Sequence, residues 1–256
     1  MNKTNLLVRY DQDLRLRITY PEAHKEITND VVRIIHRAPG RHMVSFTFAN
    51  ERELHRVIHN ELEYLRPMGQ TITWKVYEHD LLPSLKEQLV AHGFIGNDKA
   101  TAVMVLDLKR VPTASPAISQ ADLRRIDSVD GLHDAILVLD KVWGGDNKWV
   151  SDRLGLHLQI PGYLSVYVAH VDNQPAATAW THFPRGHFAK LSVGSTVAEH
   201  RRKGLYTHLL EAGIRESRER GYRYAVVEAN DMNRGIVERL GFQHLTSVQD
   251  YEWRGN

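Results

Sequence analysis

Two periodicities alternate along this chain. Short runs with apolar residues at every second position predict strands, and longer runs with apolar residues at i, i+3, i+4 and i+7 predict helices. In the first half, Leu14, Leu16 and Ile18 alternate with arginines and predict a strand over 14–20, and a short helix is expected over 27–36. Pro39-Gly40 is a turn signal. Residues 43–48 read as a strand, and Asn50 with Glu53 three positions later forms a capping-box pattern for a helix reaching about Arg66, where Pro67 and Gly69 stop it. A strand over 71–77, a helix over 81–92 closed by Gly93 and a strand over 101–108 follow. Residues 111–119, with two prolines and several small residues, read as a linker.

The second half predicts a strand at 122–126, helices at 130–142 and 147–158 separated by Gly144-Gly145, and strands at 164–171 and 176–182 joined through Asp172-Asn173, a hairpin signal. A strand at 187–197, a helix from Gly204 to near Gly221, a strand at 223–229, a helix at 232–240 and a last strand ending near Trp253 complete it. The halves echo one another. Each contains strand, helix, strand, helix, Gly-Phe and strand, with Gly93-Phe94 and Gly241-Phe242 offset by 148 residues. That offset carries Asp80 onto Glu228 but Gly204 onto Arg56, and no glycine lies between Asn50 and Arg66.

The stretch 189–219 carries the most chemistry. An apolar strand runs into Glu199-His-Arg-Arg-Lys-Gly204, and Leu205, Leu209, Leu210, Gly213 and Ile214 then recur at helical spacing. A helix start presents unpaired backbone N–H groups and the positive end of the helix dipole. Gly204 lets an anion approach the backbone, and Arg201, Arg202 and Lys203 add cationic donors, so the stretch predicts a phosphate or pyrophosphate site.

Arg201-x-x-Gly204-x-Tyr206, entered through Val197-Ala-Glu-His, resembles the Gln/Arg-x-x-Gly-x-Gly/Ala signature of the GNAT superfamily of N-acetyltransferases. The order of elements over about residues 118–256 is similar to that of a GNAT domain. The resemblance implies an α/β (α+β) fold with a mixed central sheet flanked by helices. It makes residues 120–256 a catalytic GNAT domain in tandem with a partial, degenerate GNAT-like domain over 1–110 that lacks a phosphate loop. It implies that the loop of Arg201, Arg202, Lys203, Gly204, Leu205 and Tyr206 holds the pyrophosphate of acetyl-CoA. Gly194, Ser195 and Thr196 would meet the pantetheine arm, and Asn230 would bond that arm or cap the next helix. Two positions depart from the family pattern. Tyr206 stands where the signature has Gly or Ala, and Val237 stands where many members carry a tyrosine that acts as acid toward the CoA sulfur.

Acetyl transfer to an amine needs a base for the amine, a donor for the oxyanion and precise positioning. Glu228, near the carboxyl end of the strand after the phosphate helix, is the expected base, in apolar surroundings that would raise its pKa. His182 and His187 are runners-up. Trp143-Gly-Gly-Asp146-Asn-Lys-Trp149, with Asp152 beyond, is the expected acceptor loop, offering an aromatic wall and a carboxylate for a cation. His55 and His59, four apart on one helix, lack a third ligand, so no metal is expected.

Composition narrows the rest. The absence of cysteine excludes disulfides and a thiolate intermediate. A net charge of only +2 argues against a nucleic-acid partner. The first residues turn charged too early for a secretory signal, and no apolar run is long enough for a membrane helix, so a cytoplasmic protein is expected. The sequence thus predicts an acetyl-CoA-dependent N-acetyltransferase acting on a small-molecule amine by direct attack in a ternary complex, as a monomer or homodimer. The alternatives are a non-catalytic CoA-binding sensor or interaction module, and an enzyme that transfers a larger acyl group.

Overall fold

The computed structural model describes residues 2–37, 42–68, 71–110 and 121–255. The expected turn at Pro39-Gly40, the stop at Gly69 and the linker 111–119 lie outside them. The chain divides into two compact units. The first comprises Met1–Val103, Ala229–Arg234 and His244–Asn256, and the second Met104–Glu228 and Gly235–Gln243.

The first unit opens with α1 (Lys3–Asp11), whose N-cap Asn2 accepts the Thr4 N–H. A wider helical turn over Gln12–Leu16 continues it. The strand expected at 14–20 is therefore helical to Leu16 and irregular beyond it; its alternation misleads because Arg15, a nominally polar position, is only 1% exposed while Leu14 and Leu16 are half-buried. The helix expected at 27–36 is instead a hairpin of β1 (Ala23–Ile27) and β2 (Val31–His36). The Thr28 hydroxyl accepts the Asp30 and Val31 N–H groups and so forms the turn, and the β-branched run after it suits a strand.

Next come β3 (His42–Thr47), α2 (Leu54–Leu65), β4 (Ile72–Tyr77), α3 (Leu85–Ala91), the two-residue β5 (Ile95–Gly96) and β6 (Thr101–Asp107), close to expectation. The capping box at Asn50 and Glu53 is present. The C-terminal strand β12 (Gln243–Trp253) pairs antiparallel with β4, from Val248 opposite Tyr77 to Trp253 opposite Ile72. The order in this unit is β1-β2-β3-β4-β12. Leu54, Val57, Ile58 and Leu65 of α2 and Leu85 and Leu89 of α3 pack with Ile72, Trp74 and Tyr251 into its core.

The second unit contains β7 (Asp122–Ile126), α4 (Leu132–Trp143), α5 (Lys148–Leu158), β8 (Leu164–Val171), β9 (Gln174–His182), β10 (Phe188–Thr196), α6 (Leu205–Glu219), β11 (Tyr224–Ala229) and α7 (Arg234–Arg239). Asp172 and Asn173 both take positive φ at the β8–β9 turn, as the hairpin signal requires. The strand order is β6-β11-β10-β9-β8-β7. Helices α4 and α5 cover the face carrying Leu164, Val166, Val168 and Trp180. Helix α6 covers the other, where an ideal Cβ on Gly213 would lie 2.7 Å from Thr181 Oγ1 and 3.6 Å from Leu191 Cδ2.

Candidate functional site

The site is built on β10, β11 and the start of α6. β10 and β11 pair in parallel from Phe188–Tyr224 to Leu191–Val227, and there the ladder stops, although the strands run on to Thr196 and Ala229. On its other edge β10 keeps β9, but with a bulge: Ser192 opposes Trp180 and Ser195 opposes Thr178, so β10 spends one residue more than its partner. Beyond Leu191 the edge of β10 that faced β11 carries no ladder pairing to it. The bulge is invisible to simple alternation, and Gly194 inside a strand is its only sequence signal.

Gly194 sits in this bulge. Tyr206 of α6 fills the space beside it, with ring carbons Cε2 and Cδ2 1.8 and 2.2 Å from where a Cβ on residue 194 would lie. The tyrosine that departs from the family signature is thus accommodated by a glycine on the neighbouring strand. Ser195 is buried and Thr196 half-buried, opposite Thr178 and Ala177.

The turn into α6 has the expected shape. Arg202 (φ 62°) and Gly204 (φ 80°) are left-handed on either side of Lys203, the alternation that turns successive N–H groups into one concavity. Gly204 is the N-cap and offers α6 no side-chain hydrogen bond, so the first-turn N–H groups keep their anion-binding character. Arg201 donates from Nε to the Thr196 carbonyl at 3.2 Å, tying the turn to the end of β10. Arg202 and Lys203 are exposed, and Lys203 Nζ lies 3.5 Å from His200 Nδ1. The Leu205 side chain is in the core, leaving only its backbone for a ligand.

The expected catalytic residues fare differently. Glu228 follows the last paired residue of β11, but its setting is not apolar: Lys190 Nζ stands 3.6 Å from Oε1, and both side chains are about one-third exposed (32% and 33%). His182 Nε2 lies 2.9 Å from Nδ1 of the fully buried His157, and Tyr163 packs edge-on to both rings. His187 is exposed, and its carbonyl accepts the Arg223 and Tyr224 N–H groups. The Asn230 side-chain oxygen accepts the Met232 N–H at 3.0 Å. Val237 is fully buried. Where α4 ends and α5 begins, Trp143 and Trp149 are 46% and 59% exposed, Asp146 in the loop between them accepts the Lys148 N–H, and Asp152 pairs with Lys148. His55 packs edge-on against His92. Among the described residues no three or more His, Asp or Glu side chains group as metal ligands, and no helix is long and apolar enough to cross a membrane.

The first unit repeats the parting strands and closes them. Its parallel pair β3–β4 stops at Val44–Trp74, again beside a bulge, where Phe46 and Val44 face the consecutive residues Val32 and Arg33. Arg15 fills the gap. Its Nε donates to the Ser45 carbonyl at 3.1 Å, its guanidinium bonds Asp80 at 2.8 and 3.1 Å and Asp11 at 2.9 Å, and the rings of Phe46 and Tyr77 sandwich it at 4.5 and 4.0 Å. Burial alone would lower the Arg15 pKa, but Asp80 and its neighbours hold it above the usual arginine value. The helix that follows is capped by Asn50 and carries Glu51 and Glu53 in its first turn, a start that repels an anion.

The acetyltransferase (GNAT) family model matches residues 137–242. No curated protein matches the sequence. Solved structures share its fold at low identity. A GCN5-related N-acetyltransferase from Kribbella flavida aligns at TM-score 0.72 and 14% identity over 99% of this chain and 95% of its own. A tandem GNAT protein from the clavulanic acid biosynthesis pathway aligns at TM-score 0.62 and 16% identity over 94% and 86%. A GCN5-related N-acetyltransferase from Sphaerobacter thermophilus aligns at TM-score 0.60 and 13% identity over 90% and 82%. Residues 137–242 thus match the GNAT acetyltransferase family model, and both halves of the chain share the fold of solved GNAT structures, a tandem GNAT protein among them.

Proposed function

We propose that this chain transfers the acetyl group of acetyl-CoA to a primary amine by direct attack in a ternary complex. The observation that carries the reading is the parting of β10 and β11 beyond Leu191 and Val227, next to a helix start with a left-handed glycine and no side-chain cap. An extended pantetheine arm has an unladdered strand edge to lie along at Gly194, Ser195 and Thr196. Its pyrophosphate has the N–H groups of Leu205 and Tyr206 and the cations Arg201, Arg202 and Lys203. By chain segment, residues 120–256 are the catalytic half and 1–110 the half without a phosphate loop.

The chemistry asked of the residues is modest. A primary amine with a pKa of about 10.4 is ~0.04% neutral at pH 7, a cost of roughly 4.6 kcal/mol. Glu228, as carboxylate, takes the ammonium proton directly or through water. The neutral nitrogen attacks the thioester carbonyl to form C–N, backbone N–H groups of the β10 bulge donate to the resulting oxyanion, and as C–S breaks the nitrogen gives up its second proton to the departing thiolate or to water. The thiol, with a pKa near 8.5, leaves as thiolate without prohibitive cost. A ping-pong route through a cysteine thiolate is closed, since the chain has no cysteine.

Calorimetric titration with acetyl-CoA, with a Gly204→Glu control, tests the cofactor assignment. Micromolar binding that the substitution weakens by orders of magnitude is expected, and an unchanged dissociation constant refutes the loop. Release of CoA thiol in the presence of amines separates an enzyme from a CoA-binding module. The fully buried Val237 favours that second reading, because it removes the family's usual acid.

A further inference from the structure

One row of titratable side chains crosses the second unit's sheet on the face of α4 and α5. Lys190 opposes His182 across the β9–β10 ladder, and His182 opposes Leu164, so these side chains share a face. Lys190 also pairs with Val226 in the parallel ladder, which places Glu228, two residues on, over the same face. Leu164 belongs to the core beneath α4 and α5, and His157 of α5 bonds His182 from above. The row His182–Lys190–Glu228 therefore lies opposite α6, at the level where β10 and β11 part.

Its charge pattern has a consequence for the acceptor. Glu228 does not present a lone anion, because Lys190 Nζ stands 3.6 Å away and both groups are about one-third exposed. A polycationic acceptor would gain one carboxylate and meet a fixed cation beside it, and like charges so close repel. An acceptor with a carboxylate on the carbon bearing its amine meets both charges in complementary order, ammonium on Glu228 and carboxylate on Lys190. We propose that the acceptor is an α-amino acid or a close analogue, held as a zwitterion across Lys190 and Glu228. This deepens the N-acetyl transfer reading and rests on it for the reaction, but not for binding. On transfer the ammonium loses one proton to Glu228, the neutral nitrogen takes the acetyl carbon and then gives up a second proton to the departing thiolate or to water, and the sulfur leaves with the C–S electron pair. Glu228 then releases its proton to solvent or to the departing thiolate, while Lys190 keeps its charge throughout.

The experiment has two independent readouts. Acetyl-CoA binding, by calorimetry, tests the cofactor reading alone. Acceptor binding, by calorimetry with and without CoA, tests the proposal, using the common α-amino acids, each matched to its decarboxylated amine, with spermidine and kanamycin as polycations. At least one amino acid should bind at least tenfold more tightly than its decarboxylated amine and than either polycation. Lys190→Met should erase that tenfold preference, Lys190→Arg should retain most of it, and neither should change the acetyl-CoA dissociation constant. Tighter binding of spermidine or kanamycin than of every amino acid, or a preference that Lys190→Met leaves intact, overturns the proposal. So does the absence of amino acid binding in a protein that binds acetyl-CoA.

Discussion

The Tyr206 ring lies where a side chain on residue 194 would begin: an ideal Cβ there would sit 1.8 Å from Cε2 and 3.0 Å from Cζ. The bulged strand and the first turn of α6 are in this way fitted to each other, and the two positions must vary together. Gly194→Ala should destabilise the protein by about 1–3 kcal/mol, the usual cost of overpacking. Tyr206→Ala in the same chain should remove most of that loss. Urea unfolding of the two single variants and the double gives the coupling, expected at about 1 kcal/mol or more. Strictly additive effects would mean that the ring does not rest on Gly194.

The Arg15 plug predicts a stoichiometry. With its strand gap filled and its helix start self-capped, the first unit has no room for an acyl-CoA arm, so titration with acetyl-CoA should saturate at one per chain. Two equivalents would sink this assignment. Arg15→Met should cost about 3–5 kcal/mol in urea unfolding, because it leaves the Asp80 and Asp11 carboxylates without their cation. A loss below ~1 kcal/mol would show that the side chain is ornamental to the fold.

These two neighbourhoods mark how far the sequence could be read. Helix α6 and its turn are legible because period, glycine and cations coincide within 189–219, and the capping box of Asn50 and Glu53 is a purely local device. Arg15 is illegible for the opposite reason. Its burial depends on Asp80, Ser45, Phe46 and Tyr77, all at least 30 residues away, so its period-two neighbours Leu14 and Leu16 point to the wrong element. The hairpin over 23–36 is hidden because its turn at Thr28 takes only the three residues between β1 and β2. The partnership of Glu228 with Lys190 depends on the register of two parallel strands, which no local pattern encodes, so the local sequence predicts an apolar setting where a cation stands.

The make-up of the two units bears on folding. The first unit takes residues 244–256 from the end of the chain, and the second begins at Met104, within β6. Without β12, six residues of β4 lose their antiparallel partner and the core loses Tyr251. Without 104–108, the second unit loses the buried Met104, Leu106 and Leu108 and the Asp107 partner of Arg223. Chains cut within 111–119 and expressed singly should therefore show no cooperative thermal transition, and mixing them should restore one. A C-terminal half that unfolds cooperatively alone, at the midpoint of the whole chain, would contradict this.

Acid should loosen the first unit through Asp11. Burial pushes this carboxyl up, but the His79 imidazole at 3.0 Å and the Arg15 guanidinium outweigh it, and its pKa lies below the ordinary aspartate value. A carboxyl depressed in the folded state contributes stability above its unfolded pKa of about 3.9 and loses it as pH falls through the folded value. At pH 7 Asp11→Asn should cost about 1.5–3 kcal/mol, the range for hydrogen bonds to a charged group. That deficit should shrink steadily below about pH 4, as the wild-type carboxyl is protonated and comes to resemble the amide. Glu61 runs the other way: burial raises its pKa more than Arg33 lowers it, so its protonation favours the folded state, and the effect cancels between wild type and variant. Urea midpoints of both proteins from pH 7 to pH 3 measure the difference directly. A deficit that stays constant across that range would show that the ionised form of Asp11 contributes nothing to holding Arg15 and His79 in place.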